Sequence, residues 1–206
     1  MGLDSRTVLG SLTDGGCCLS DDIPPADVAD MSLTELVNHI EATHHAYLRE
    51  ELPRLPAMTY EAAYGYGDRD RRLHQVHETM RVMAFELWCH MLKEERCLFP
   101  MIRQLEADDG PPMFRCGTIA DPICQMELDH EGADVALEQL KELTDGFSPP
   151  EWACAAHRVL LAALAHFERD MHRHIHKENN VLFPRALEME RQKEVLSNSA
   201  ISAMEC

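Results

Sequence analysis

The sequence predicts an all-α protein: an antiparallel up-down four-helix bundle, preceded by a short, poorly ordered N-terminal arm. Three observations carry this expectation. Apolar residues recur at helical spacing along four stretches. No stretch alternates apolar and polar residues as a half-buried strand does. The four stretches are joined by two short turns and one longer loop, as antiparallel neighbours in a bundle are. The expected organisation is an arm over residues 1–31, a bundle over 32–192 and a tail over 193–206.

Taken in order, the arm is rich in Gly, Ser and Asp, holds Pro24-Pro25 and the adjacent pair Cys17-Cys18, and lacks periodicity. Helix 1 starts near Ser32, which with Glu35 forms a capping box. Leu33, Leu36, Val37, Ile40, His44, Tyr47 and Leu48 follow on one face. Pro53 and Pro56 are expected to kink or interrupt it, and Gly65-Tyr66-Gly67-Asp68 reads as a turn and N-cap. Helix 2 covers about 69–99, with the stripe Leu73, His77, Met80, Ala84, Leu87, Met91, Glu94 and Leu98. A Gly- and Pro-rich loop over about 107–120 divides the domain into two halves. Helix 3 begins around Asp121-Pro122 and stops at Asp145-Gly146, with Ile123, Met126, His130, Ala133, Leu137 and Leu140 on its seam. Ser148-Pro149-Pro150-Glu151 reads as the start of helix 4. That helix is expected to run to about 190, bent at Pro184.

One stretch occurs twice. Residues 90–100 read H-M-L-K-E-E-R-C-L-F-P and residues 174–184 read H-I-H-K-E-N-N-V-L-F-P. In both, a His is followed four residues later by Glu, so imidazole and carboxylate share a helix face. Glu94 and Glu178 fall on the apolar side, where an unpaired carboxylate costs several kcal/mol. A cation is expected beside each. Lys93 and Lys177 do not serve, because adjacent helical residues point about 100° apart.

The chain has 206 residues, enough for one compact domain. A formal net charge of −17, from 19 Lys+Arg against 36 Asp+Glu, disfavours nucleic acid and anionic membranes as partners. No run of 18 apolar residues exists, so no membrane span is expected. The start of the sequence lacks a signal-peptide pattern. A cytoplasmic location with reduced thiols follows for the eight cysteines, none of which forms C-x-x-C. Twelve histidines is a high count for this length and points toward metal.

Residues equidistant from the turn of a helical hairpin lie at one height. His45 and His90 flank a midpoint in the Gly-Tyr-Gly-Asp turn, and His130 and His174 flank one just past Ser-Pro-Pro. Four histidines (His45, His90, His130, His174) and two glutamates (Glu94, Glu178) are therefore expected to converge as metal ligands. Imidazole and carboxylate donors without thiolate suit iron or manganese better than structural zinc, with iron preferred. Two shared carboxylates bridge two ions and leave open positions for O2, NO, peroxide or an oxo bridge.

These motifs, with H-H-A-Y-L-R-E-E-L-P-R-L (44–55) and M-E-L-D-H-E (126–131), resemble the hemerythrin-like di-iron proteins that repair iron–sulfur clusters after nitrosative or oxidative stress. The resemblance covers roughly residues 32–190. It implies a non-haem di-iron centre, oxo- and carboxylate-bridged, with the same six ligands. The implied role is repair of damaged clusters by iron donation, NO handling or both, with iron–sulfur proteins or apo-clusters as partners. Alternatives are an O2- or NO-binding carrier or sensor, and a di-iron oxidoreductase reducing NO or peroxide. Whether the protein is an enzyme, and whether it is a monomer or a dimer, stays open.

Three departures stand out. Only about 30 residues precede helix 1, where family members often carry an N-terminal domain with a Cys-Cys motif. Tyr66 stands where the family often has a His, yet at ~1.5 Å per residue it lies about 30 Å from the His45 level, so it is not expected to ligate. Asp134, one turn past His130, is either a seventh ligand or an outer partner. Hydrophobic phase favours His44 over His45, whereas hairpin level and the family's spacing favour His45, which is preferred. His172 and His176 are assigned to a solvated face. His74, His77, His157 and His166 lie away from the metal level, with His77 and His166 pointing inward.

Overall fold

The structure is a computed structural model that describes Val28, residues 30–108 and residues 117–204, with side chains described as far as residue 197. The Cys17-Cys18 pair and most of the arm, along with Cys116 and Cys206, lie outside the described residues.

Among the described residues every element is helical. They form four continuous runs, 33–66, 72–107, 120–143 and 155–204. The first joins α1 (Leu33–Ile40) to α2 (Ala46–Tyr66) through a wide π turn at Glu41–His45. The second joins α3 (Arg72–Lys93) to α4 (Phe99–Ala107) through a π turn at Glu94–Leu98. The third is α5 (Ala120–Leu143). The fourth joins α6 (Ala155–Lys177) to α7 (Phe183–Met204) through a π turn at Glu178–Leu182. Helix α2 packs on α3 and α6, α3 on α5, and α4 on α1 and α7.

The ends of the runs show how the sequence sets them. Ser32 and Glu35 form the expected capping box. The Glu106 carboxylate adds a second cap from α4, accepting from the backbone N–H of Leu33 at 2.9 Å and Thr34 at 2.8 Å. Pro53 and Pro56 do not interrupt helix 1. They sit three residues apart on its outer face, where water can hydrate the carbonyls they leave unpaired. The turn after it falls later than expected: α2 reaches Tyr66, and the Asp70 carboxylate accepts from Arg72 N–H at 3.0 Å to open α3. Helix α5 starts at Ala120, where the buried Glu190 carboxylate from α7 accepts from Ile119 N–H at 2.9 Å.

The start of helix 4 is a correction. Ser148-Pro149-Pro150-Glu151 does not open it; α6 begins at Ala155, behind an extended Cys154. Asp145, Gly146 and Phe147 all take positive φ, and Ala153 N–H closes a turn on the Pro150 carbonyl. Each proline disfavours helix at the residue before it, so this stretch becomes the connection itself. At the other end α7 continues past residue 192 to Met204, since Lys193 to Met204 hold no Gly or Pro to stop it.

Two apolar cores fill the interior. One gathers Leu48, Leu52, Leu55, Met80, Leu87, Leu137, Leu160, Phe167 and Met171. The other gathers Leu36, Ile40, Leu98, Phe99, Ile102, Ile123, Met126, Leu182 and Phe183. Along each run, the chain passes from one core to the other across a short polar interval: between Ile40 and Leu48, Met91 and Leu98, Met126 and Ala133, and Ile175 and Val181.

Candidate metal centre

That polar interval is where the candidate ligands meet. His45, His174, Glu94 and Glu178 offer ligand atoms all within 4.8 Å of one another, and His90, His130, Glu94 and Glu178 do the same. Both glutamates belong to both groups, so the arrangement has two cation positions sharing two carboxylates. All six residues are buried, and His45, Glu94, His174 and Glu178 are fully so at 0% exposure. The sequence-predicted six are thus the six that converge. His44 is buried beside them but belongs to neither group; its Nδ1 faces the Asp170 carboxylate at 3.1 Å.

The donor atoms are orphaned in a way that a cation fits. Glu94 Oε2 lies 3.1 Å from His45 Nε2 and 3.3 Å from His90 Nε2. Yet both Glu94 oxygens, His45 Nε2 and Glu178 Oε2 have no partner in hydrogen-bond geometry. Buried carboxylate oxygens normally find donors. His174 Nε2 and Glu178 Oε1 do pair, at 2.9 Å; the other imidazole nitrogens and carboxylate oxygens converge without lining up on one another, as donors around a shared ion do.

The π turns set this up. Two of them begin at Glu94 and Glu178, and the third ends at His45. Such turns are rare and frequently mark functional sites. After each glutamate, the next residue supports a histidine of another helix. Glu95 takes the His45 Nδ1 at 2.7 Å, and Asn179 Oδ1 takes the His130 Nδ1 at 2.8 Å. The phenylalanine of each Leu-Phe-Pro then stacks on the same ring: Phe99 on His45 at 5.5 Å and Phe183 on His130 at 6.0 Å. The repeat seen in the sequence is therefore a repeat of roles.

The supporting residues Glu95, Asp129, Asn179 and Asp170 are ones the sequence reading missed. Asp129 sits 3.3 Å from His90 Nδ1, and Lys93 holds it at 2.6 Å. Three of the four adjoin a predicted ligand in sequence, and that adjacency was the available signal. Several expectations outside the centre are settled too. Tyr66 donates to Cys154 Sγ at 3.1 Å and packs on Trp152 and His157, away from the ligands. Asp134 is exposed and faces His172 at 3.9 Å. His166 does not point inward: it is exposed and pairs with the Tyr47 hydroxyl at 2.8 Å. His77 is half-buried and meets Thr59 Oγ1 at 3.2 Å. His172 is exposed as expected, whereas His176 is half-buried against Asn180.

Electrostatics follow from two buried acids among four imidazoles. Burial pulls His90 down, but Glu94 and Glu178 outweigh it and push it up to about 9. His45 and His130 are raised by the same contest. For His174 burial wins, and its value falls below the ordinary one. Burial also works against ionised Glu178, but His174 and His130 hold it well below the usual carboxylate range. Protons on the imidazoles thus do part of what a cation does.

Among the described residues no helix is long and apolar enough to cross a membrane. Comparison with known proteins agrees with the site. The family model for the hemerythrin HHE cation binding domain matches residues 36–186. The iron-sulfur cluster repair protein YtfE of Pectobacterium atrosepticum is 37% identical over 166 residues, covering 79% of this chain and 71% of that one. The protein of the same name from Yersinia pseudotuberculosis is 35% identical over 161 residues, covering 78% and 69%. A probable iron-sulfur cluster repair protein of Haemophilus influenzae is 35% identical over 161 residues, covering 78% and 68%. A buried pair of His and Glu clusters, on a chain matched over this span, places the protein in the hemerythrin HHE cation-binding family, alongside the iron–sulfur cluster repair proteins.

Proposed function

We propose that this protein repairs iron–sulfur clusters, using two iron ions held between its helices. The observation that carries this reading is the pair of four-residue clusters sharing Glu94 and Glu178; the names of its relatives point the same way. His45 and His174 would hold one ion, His90 and His130 the other, and the two carboxylates would bridge them. The four runs are read as an antiparallel up-down bundle, supported by the short turn between α2 and α3 and the packing of one on the other. The setting is the cytoplasm, where thiols stay reduced.

The chain's own contribution is positional. Glu95, Asp129 and Asn179 each hold an imidazole by Nδ1, which keeps each Nε2 turned toward the position the two glutamates share. The apolar cores on either side keep water from competing for those donors. Iron held there would supply ligand-binding and redox chemistry toward small molecules such as NO or O2, and as cargo it could refill a damaged cluster. Iron donors with oxygen and nitrogen ligands hold ferrous ion less tightly than thiolates of an apo-cluster do.

The test is iron content by mass spectrometry, followed by anaerobic incubation of the iron-loaded protein with an apo-ferredoxin. Two irons per chain and recovery of the cluster's absorption are expected. Glu178→Gln should abolish both. A protein that binds iron but transfers none would remove donation from the reading.

A further inference from the structure

The two halves of the centre follow one plan, with one support missing. His45 and His130 correspond, in the first and third runs, and so do His90 and His174, in the second and fourth. The Nδ1 of His45, His90 and His130 faces Glu95, Asp129 and Asn179 respectively. The Nδ1 of His174 has no hydrogen-bond partner, although the residue is wholly buried.

The cause lies one residue before each first ligand. Asp129 precedes His130 and reaches across to His90. By the same correspondence His44, which precedes His45, lies against His174. It does so flat, with the rings 5.1 Å apart and 3° from parallel. Its own Nδ1 faces Asp170, and its Nε2 is unpartnered. A stacked imidazole fills the place where the other half has a carboxylate. A histidine ligating through Nε2 must carry its proton on Nδ1, and in His174 that N–H is left without an acceptor.

We propose, resting on the metal reading above, that the two cation positions are unequal: the ion between His45 and His174 is the weakly held, exchangeable one, and His44 is the positioning residue that makes it so. An acceptor on the far nitrogen fixes a ligating imidazole and raises its basicity, and losing such a partner lowers metal affinity by about 10–100-fold. The half carrying His174 lacks that acceptor. It is therefore the half that gives up an ion first, while the half carrying His90 and His130 keeps its own.

Anaerobic titration of metal-free protein with ferrous ion against a ferrous chelator reads the two affinities directly, without any repair assay. Two steps separated by about ten-fold or more are expected. His44→Asn supplies an amide oxygen with the reach of Asp129 and the chemistry of Asn179, and should draw the steps together by strengthening the weaker one. Asp129→Ala should draw them together by weakening the stronger one. Two equal affinities in the unmodified protein would overturn the proposal, as would an Asp129→Ala variant whose weaker step alone moves. Unequal steps in a protein that repairs no cluster would leave the asymmetry standing and remove the functional reading instead. Absence of iron binding would remove both.

Discussion

Raising the pH should destabilise the metal-free protein and leave the metal-loaded protein almost untouched. His90 sets the pH window. Its folded value is about 9 against an ordinary 6.5. A raised folded value contributes stability that is complete below the unfolded value and is lost as pH climbs through the folded one. The window therefore runs from about pH 6.5 to about pH 9. At about 1.4 kcal/mol per unit the ceiling for this one side chain is about 3 kcal/mol. His45 and His130, also raised, add in the same direction, and His174, lowered, subtracts. With a urea slope of about 2 kcal/mol per molar, the denaturation midpoint should fall by about 1.5 M across the window. Far-UV circular dichroism of chelator-treated and iron-loaded protein at pH 6.5 and 9.5 measures it. With ions on the inward nitrogens there is no proton to lose, so the loaded midpoint should stay level. A metal-free midpoint that is the same at both pH values, or higher at 9.5, would refute the idea that protons stand in for cations between Glu94 and Glu178.

Other expectations follow from single contacts. Glu94→Gln should remove both ions, because that carboxylate belongs to both clusters, whereas His130→Gln should leave close to one; elemental analysis separates the two cases. Glu106→Ala should cost about 1–2 kcal/mol in chemical denaturation, since it strips two acceptors from the start of α1. Phe167→Ala, at a fully buried core position, should cost about 3–5 kcal/mol. Tyr66→Phe should leave iron content unchanged, as its hydroxyl serves Cys154 rather than the centre.

Much of this was legible in the residues themselves. Helical periodicity gave the four runs, and the doubled His-x-x-x-Glu gave four of the six convergent side chains, His90, Glu94, His174 and Glu178, because i and i+4 share a face whatever the neighbouring helix does; His45 and His130 came from their distance to the turns. Counting outward from the turns, with the family's spacing, chose His45, and it is His45 rather than His44 that joins the convergent groups, even though hydrophobic phase pointed the other way. Phase misled because the π turn at Glu41–His45 shifts the face mid-helix, a change no regular 3.6 period contains. The supporting residues were hidden for a related reason: Glu95 and Asn179 sit beside ligands, and an ideal α-helix points neighbours apart. The Ser-Pro-Pro-Glu start signal failed because left-handed backbone at Asp145, Gly146 and Phe147 turns the chain before any cap can act. Capping from afar by Glu106 and Glu190 depends on tertiary packing and leaves no local trace.

The wide turns also tie the centre to chain length, not only to residue identity. Each one contains a residue more than an ordinary helix needs over the same distance. Deleting Arg96 would therefore let Glu94–Leu98 close into regular helix while Phe99 keeps its place against His45 and the apolar row from Leu98 to Leu105 keeps its face. The change would fall on the widened turn itself, from which Glu94 and Glu95 serve the centre: the fold would survive a lost codon that the ligand set would not.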